Sequence, residues 1–429
     1  MAELRRHLGL FQTTMYGIGL ILGAGIYALI GDAAGQAGSS VWISFVLAAV
    51  AAVFTGLSYA ELSSIYPKAA AEYSFVKRAF GNNFVAFIVG WLTLFVAIIS
   101  ASAIAIGFGG YFSDMFGVPI LLSAILLIAV LSFVNFFGIR ESSSMNVIFT
   151  MIEAAGLALI VWIGFALFGD ATVDYFEMPH GFSGVFSAFT IVFFAYIGFE
   201  NIANIAEEVR NPKKVLPRAI ILAISITAIV YVLVSVSATR VLSWQELDAS
   251  IAPLADVAER ALGPQAHMIL SFIALFATTN TVLIMLISGS RIMYGIATEK
   301  ALPPIFGRVH LKRKTPWVAT ITVGALAVVF AFAGNIATIV NISVFAIIMV
   351  FVMVNFTLIW MRLKYPDAER AFKVPLSVRG FPILPALGII TPIIGIAHLD
   401  WYVISMGLGV VAAGMVFYFA YSKVLQRKL

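Results

Sequence analysis

Apolar runs long enough to cross a bilayer dominate this 429-residue chain. A membrane-spanning helix needs about 20 apolar residues, and roughly twelve such runs follow one another between short polar joints. The approximate spans are 11–33, 40–66, 84–112, 119–138, 145–169, 184–208, 217–238, 268–297, 316–334, 336–361, 383–398 and 400–421. Charged residues make up only 11% of the chain, against roughly 25% in an ordinary soluble domain. The expected fold class is therefore an all-α integral membrane protein. Without cysteine, disulfides, thiolate catalysis and cysteine metal sites are excluded.

The charges orient the spans. If both termini face one side, the joints there hold all of the 26 lysines and arginines except Arg240 and Arg260. The opposite joints hold Asp32, Asp114, Asp170, Asp174, Glu177, Glu246, Asp248, Asp256, Glu259 and Asp400. The positive-inside rule then puts both termini in the cytoplasm of a cell whose plasma membrane the chain crosses. The basic bias reflects this orientation, so no nucleic-acid partner is expected. Arg5 and Arg6 precede an apolar run, Leu8 to Ile30, that exceeds the roughly 7–15 residues of a signal-peptide core and reads as the first span. The longest outer joint, Thr239 to His267, mixes Trp244, Pro253, Leu254, Val257 and Leu262 with acidic residues. It suits either a short amphipathic helix at the outer surface or a solvated loop.

Two spans carry signs of interruption. Span 1 contains Gly17, Gly19, Gly23 and Gly25. Such glycines weaken a helix and admit other atoms to its backbone, although Gly19 and Gly23 also form a small-xxx-small pair that suits close helix packing. Span 6 reads Phe193-Phe194-Ala195-Tyr196-Ile197-Gly198-Phe199-Glu200-Asn201. The two enter from opposite sides, and breaks about 20 Å along each would meet near the bilayer centre. Freed backbone groups are tolerable in hydrocarbon only at a binding cavity. There, N–H groups at a half-helix N-terminus suit a carboxylate and carbonyls suit an ammonium group, so a zwitterion fits both.

Three strings carry a family resemblance. They are Leu22-Gly23-Ala24-Gly25-Ile26-Tyr27, the span 6 string with Glu207-Glu208-Val209-Arg210-Asn211-Pro212-Lys213-Lys214, and Ser290-Arg291-Ile292-Met293-Tyr294-Gly295 with Leu302-Pro303. In this order, over nearly the whole chain, they resemble the amino acid–polyamine–organocation permeases, most of all the amino acid permeases and cationic amino acid transporters. The resemblance implies the leucine-transporter fold: repeats of five spans at about 8–169 and 184–363, with spans 1 and 6 broken, and two added helices at about 383–424. It also implies that Gly23, Ala24 and Gly25 offer amides to a substrate carboxylate. The carbonyls of Ile21, Phe194 and Ile197, with Ala195 between the last two, would take the ammonium, and the Phe194 ring would cover the substrate. An ordinary packed phenylalanine is the plainer alternative.

Several ionisable and polar groups lie within spans. Glu153 in span 5 is a functional candidate because a carboxyl at that depth is costly. Many relatives resemble this segment but carry lysine there, so Glu153 departs from that pattern. It can bind a cation, carry a coupling proton, or rest as a neutral acid bonded to a neighbouring helix. Glu200 is shared with the family and implies a proton-linked gate or an acceptor for loosened N–H groups. Thr278, Thr279 and Asn280 in span 8 can offer oxygens to a cation, or bond their own helix. Glu61, Glu207 and Glu208 near cytoplasmic helix ends can form inner-gate ion pairs or remain solvated.

The expected function is secondary active import of amino acids by alternating access, coupled to protons or sodium, with no covalent step and no cofactor beyond the ion. Span 3 from Phe95 to Ala105 has no charged residue and favours neutral side chains, whereas the resemblance to cationic transporters pulls toward lysine or arginine. An exchanger, or an amino acid sensor of permease fold, is the alternative; the chain leaves little sequence outside its first and last spans for a signalling partner. His7, His180, His267, His310 and His398 show no metal spacing, and no phosphate loop or potassium-filter motif occurs. Aromatic-rich spans 11 and 12 can mediate dimerisation or face lipid.

Overall fold

The computed structural model describes residues 4–168, 172–332, 336–396 and 401–426. Its helices are α1 (Leu10–Ala37), α2 (Val41–Ile65), α3 (Ala71–Phe80), α4 (Asn83–Phe116), α5 (Ile120–Phe137), α6 (Ile139–Trp162), α7 (Gly181–Ala195), α8 (Asn201–Asn204), α9 (Pro212–Val241), α10 (Trp244–Ala249), α11 (Pro253–Leu262), α12 (Pro264–Thr298), α13 (Trp317–Ala331), α14 (Ile336–Lys364), α15 (Ile383–Ile396) and α16 (Trp401–Gln426). Among the described residues, the only sheet is a short antiparallel pairing of Ser377–Val378 with Phe381–Pro382. Nine stretches there are long and apolar enough to cross a membrane, and α7, α13 and α15 are shorter apolar helices. The chain thus folds as an all-α membrane protein.

Local chemistry sets the helix ends. Asn82 caps α4 by accepting from the N–H groups of Phe84 and Val85 at 2.9 and 3.1 Å, which satisfies donors that the first turn leaves free. Pro212 opens α9 at a position where its missing N–H costs nothing. With 34 residues, α4 measures roughly 50 Å at 1.5 Å per residue, so it must tilt across a hydrocarbon layer of about 30 Å.

α1 lies at the centre, packed against α6, α7, α9 and α12. α12 is buried continuously from Asn280 to Ala297, as expected of a helix apolar on every side. By contrast, α5 turns Leu122, Leu126, Val130 and Phe133 outward, and α16 turns Val416 and Phe419 outward, giving a lipid-facing rim.

Two joints hold more structure than hydropathy reveals. The segment between spans 2 and 3 contains α3, which buries Glu72, Phe75, Val76 and Ala79 while leaving Arg78 exposed. At 10 residues it is too short to register as a span. Of the two readings of the outer joint, the structure takes the helical one, in two pieces. A capping box between Ser243 and Glu246 starts α10, and α11 buries Leu254, Val257 and Ala258 against α12 and α1. α11 therefore packs on protein rather than lying on lipid.

Candidate substrate and coupling site

The interruptions in spans 1 and 6 are both present and differ in kind. Span 6 stops being helical after Ala195, turns through Tyr196 to Glu200 with Gly198 at φ 142°, and resumes as α8. Only glycine adopts that φ without strain. Span 1 breaks at a single residue: Gly23 has φ −13° and ψ −149° while helix continues on either side. A Cβ at Gly23 would overlap the Thr281 hydroxyl, and one at Gly25 would stand 3.1 Å from Cα of Ala195. Glycine is what lets α1 approach α12 and the end of α7 this closely.

A cavity of about 220 Å³ lies beside these breaks. It falls below the roughly 300–1,000 Å³ of sites for drug-sized ligands, a size suited to a single small metabolite. Ile21, Gly25, Phe194, Ala195 and Ile197 all line it. Gly23 faces Thr281 instead, and the Ala24 side chain lies outside the described residues. α4 contributes Val96, Ser100, Ala103 and Ile104, inside the segment from Phe95 to Ala105, and α12 contributes Thr281 and Met285. Ser343, Val344 and Ile347 of α14 complete the wall. Nothing in the sequence pattern marked α14 for this place, because its serine is one among many in apolar spans. Among the described residues, no charged one lines the cavity.

A tyrosine ties the two breaks together. The hydroxyl of Tyr231, from α9, donates to the carbonyl of Ile21 and lies 3.2 Å from the carbonyl of Ala195. Both carbonyls border the interruptions, where their helical partners are lost, so a buried donor there meets a need that lipid cannot. Sequence reasoning missed Tyr231, since only the fold brings α9 to this point.

Glu153 is fully buried in a polar knot between α1, α6 and α12. Its Oε1 accepts from Asn280 Nδ2 at 3.1 Å, while Oε2 has no partner among the described residues. Asn280 Oδ1 accepts from Asn146 Nδ2 at 2.9 Å, and Thr150 Oγ1 lies 3.1 Å from Asn280 Nδ2. Gly19 makes room, because a Cβ there would overlap the Thr150 hydroxyl. Asn280 is thus the α12 residue that reaches Glu153. Thr278 donates to the carbonyls of its own helix at Ala274 and Leu275, and Thr279 is half-buried on a neighbouring face. Glu200 accepts from the Gly198 N–H and from Asn201 Nδ2, both at 2.8 Å, and so holds the turn within span 6.

The acidic residues expected at an inner gate are paired. Glu208 receives both Nε and Nη2 of Arg291 at 2.9 Å with neither side chain exposed, and Asn135 accepts from the same guanidinium at 2.6 Å. Glu61 binds Arg362 at 2.7 Å and Arg370 at 3.0 Å. Glu207 meets Lys68 at 3.7 Å near the surface. Between α11 and α12, Asp256, Glu259 and His267 bring three potential ligand atoms within 4.8 Å of one another, which their spacing did not suggest; none of them lines the cavity.

Comparison with known proteins gives this geometry a family. Residues 8–425 match the profile of the family described as amino acid permease. The chain is 33% identical to "Branched-chain amino acid permease BcaP" of Bacillus subtilis, over 98% of this chain and 94% of that protein. It is 29% identical to "Methylthioribose transporter" of the same organism over the same shares. With "Cationic amino acid transporter 4, vacuolar" of Arabidopsis thaliana it shares 30% identity over 87% of this chain and 65% of the relative. The chain belongs to the amino acid permease family of the amino acid–polyamine–organocation superfamily and is a multi-pass membrane transporter, not an enzyme.

Proposed function

We propose that this protein imports neutral amino acids across the plasma membrane by alternating access, driven by protons. The observation that carries the reading is the small cavity between the Gly23 kink and the Ala195 break, which sets interrupted backbone beside an apolar wall with no charged residue among those described. The amides of Gly23, Ala24 and Gly25 take the α-carboxylate, and carbonyls of Ile21, Phe194 and Ile197 take the α-ammonium. The wall of Val96, Ala103, Ile104, Val344 and Ile347 accepts an apolar side chain. A cationic substrate would need an acidic group in that wall, so the neutral class is favoured. The branched-chain specificity in one relative's name agrees with this choice.

Glu153 supplies the coupling site in this reading. Among the described residues no cation pairs with it, and its second oxygen lacks a partner. A neutral, proton-carrying carboxyl suits such a place better than a bare charge. Repeats at 8–169 and 184–363 would rock about the cavity, with the helices at 383–424 outside them and both termini in the cytoplasm, as the distribution of basic residues favours.

Uptake into proteoliposomes tests the proposal. An imposed inward proton gradient should accumulate a neutral amino acid, and a sodium gradient alone should not. Accumulation driven only by sodium would reject proton coupling; counterflow with neither gradient active would identify an exchanger, and binding without flux a sensor. Glu153→Gln should abolish proton-driven accumulation while leaving counterflow, and an unaltered pH profile would remove Glu153 from coupling.

A further inference from the structure

α3 carries a carboxyl group that the transport site leaves unexplained. Glu72 lies in its first turn, fully buried. Its Oε1 accepts from Tyr59 Oη of α2 at 3.1 Å and from Asn204 Nδ2 of α8 at 3.2 Å. Its Oε2 is buried with no partner. The same Asn204 amide accepts, through Oδ1, from the backbone N–H of Ala71 at 2.8 Å. One side chain of α8 is thereby clamped to two groups at the start of α3.

The clamp fastens the inner part of span 6. Asn204 ends the fragment that resumes beyond the Ala195 break, which is the fragment that must swing aside if the cavity is to open toward α3. The loop before α3 also leans on α12, where a Cβ on Gly295 would stand 2.7 Å from the backbone of Ala69. These contacts tie the start of α3 to both span 6 and α12.

Among the described residues, no cation balances Glu72. From α2 it meets Tyr59, whereas Glu61 of that helix is taken up by Arg362 and Arg370. From span 6 the charged neighbour is Glu200, a like charge, while Glu207 faces Lys68 and the Ala69 N–H. On α3 itself Lys77 is held by Glu299 at 2.7 Å, beside Tyr73. From α12 the nearby cation, Arg291, belongs to Glu208. α4 and α14, also packed on α3, send it no hydrogen-bonded charge among the described residues. An ionised Glu72 would keep one oxygen charged, buried and without a described partner, so the neutral form suits the closed clamp. Burial accordingly pushes this carboxyl up to about 7.

We propose that Glu72 is a proton-binding site of the cytoplasmic gate: with its proton bound it holds α3 to the inner part of span 6, and releasing that proton to cytoplasmic water frees the gate to open. The inference rests on the proposed orientation and proton coupling, and adds a titrating carboxyl at the gate to the one at Glu153. The closed form binds the proton more tightly than an open form in which water reaches both oxygens. Closure is therefore favoured at low pH and loses ground by up to roughly tenfold per unit as pH rises.

Because the chain has no cysteine, a single Ala206→Cys at a buried position two residues beyond α8 reports opening through its rate of labelling by a water-soluble maleimide. The full chain in nanodiscs is labelled from about pH 6 to about pH 8.5, with Glu72 intact and with Glu72→Gln, and the ratio of the rates cancels the thiol's own ionisation. That ratio should rise about tenfold across the range, since the amide keeps the clamp at every pH. A flat ratio overturns the proposal. Should Glu72→Gln not fold, Tyr59→Phe removes a donor to the ionised carboxylate, so the pH at which labelling accelerates should move upward, and an unmoved midpoint is equally fatal. The labelling needs no flux: a protein that transports nothing would sink the transport reading alone, while normal proton-driven uptake with a flat ratio would sink only this one.

Discussion

The hydroxyl of Tyr231 donates to the carbonyl of Ile21 and stands 3.2 Å from that of Ala195, so one α9 side chain serves the interruptions of both α1 and α7. A single O–H proton serves one carbonyl at a time, and each carbonyl oxygen keeps a lone pair for a substrate ammonium or for water. The tyrosine thus holds the breaks in register without filling the cavity.

Tyr231→Phe removes that donor while keeping the ring, which packs edge-on against Tyr196 and Phe45. Leaving a buried carbonyl unsatisfied costs about 1–3 kcal/mol. The purified variant should unfold at lower temperature and gain less from added amino acid. Unchanged values for both would show that water replaces the hydroxyl.

Gly25→Ala puts a methyl group 3.1 Å from the backbone of Ala195 and into the cavity wall. Overpacking of this kind costs about 1–3 kcal/mol, or roughly five- to a hundredfold in substrate affinity. Membrane insertion and helix content should be retained. Wild-type affinity in a binding assay would mean that α1 and α7 separate freely.

Glu208→Gln strips the carboxylate from a fully buried Arg291. Leaving one partner of a buried pair costs about 3–5 kcal/mol. The yield of folded protein should fall sharply, and Glu208→Gln combined with Arg291→Met should recover part of it because the unpaired charge is gone. If the double replacement is no better than the single, the Asn135 contact at 2.6 Å already carries the guanidinium.

Between α10 and α11, the Arg260 hydrogen bond at 2.7 Å, with help from Ser243, holds the Glu246 carboxyl down from 4.5 to about 2. A depressed value means that its stabilising effect is complete above pH 4.5 and fades as pH falls toward 2. The side chain is 46% exposed, so solvent screening limits the effect to less than about 1 kcal/mol. The small difference in melting temperature between the protein and Glu246→Gln should shrink through that window, and a difference that grows on acidification would contradict it.

Much of the architecture is legible in the chain because a bilayer imposes simple rules. Span length, the sorting of Lys and Arg, and glycines at Gly23, Gly25 and Gly198 all report constraints that act along the sequence. α3 escapes because a short amphipathic helix packed on protein has neither the length nor the uniform polarity that hydropathy detects. The single-residue kink at Gly23 likewise looks, in sequence, the same as a longer unwound stretch.

The order and lengths of its apolar runs therefore determined that this protein is a bundle of membrane helices with weak points in spans 1 and 6, since lipid penalises every unpaired backbone group locally. Tertiary structure alone decided which distant side chains meet there: Tyr231 at the two carbonyls, Ser343 and Ile347 in the cavity wall, Asn280 at Glu153, and Asn204 at Glu72. Those encounters depend on how helices far apart in the chain cross and rotate, and no spacing within one helix encodes the angle at which another will pass it.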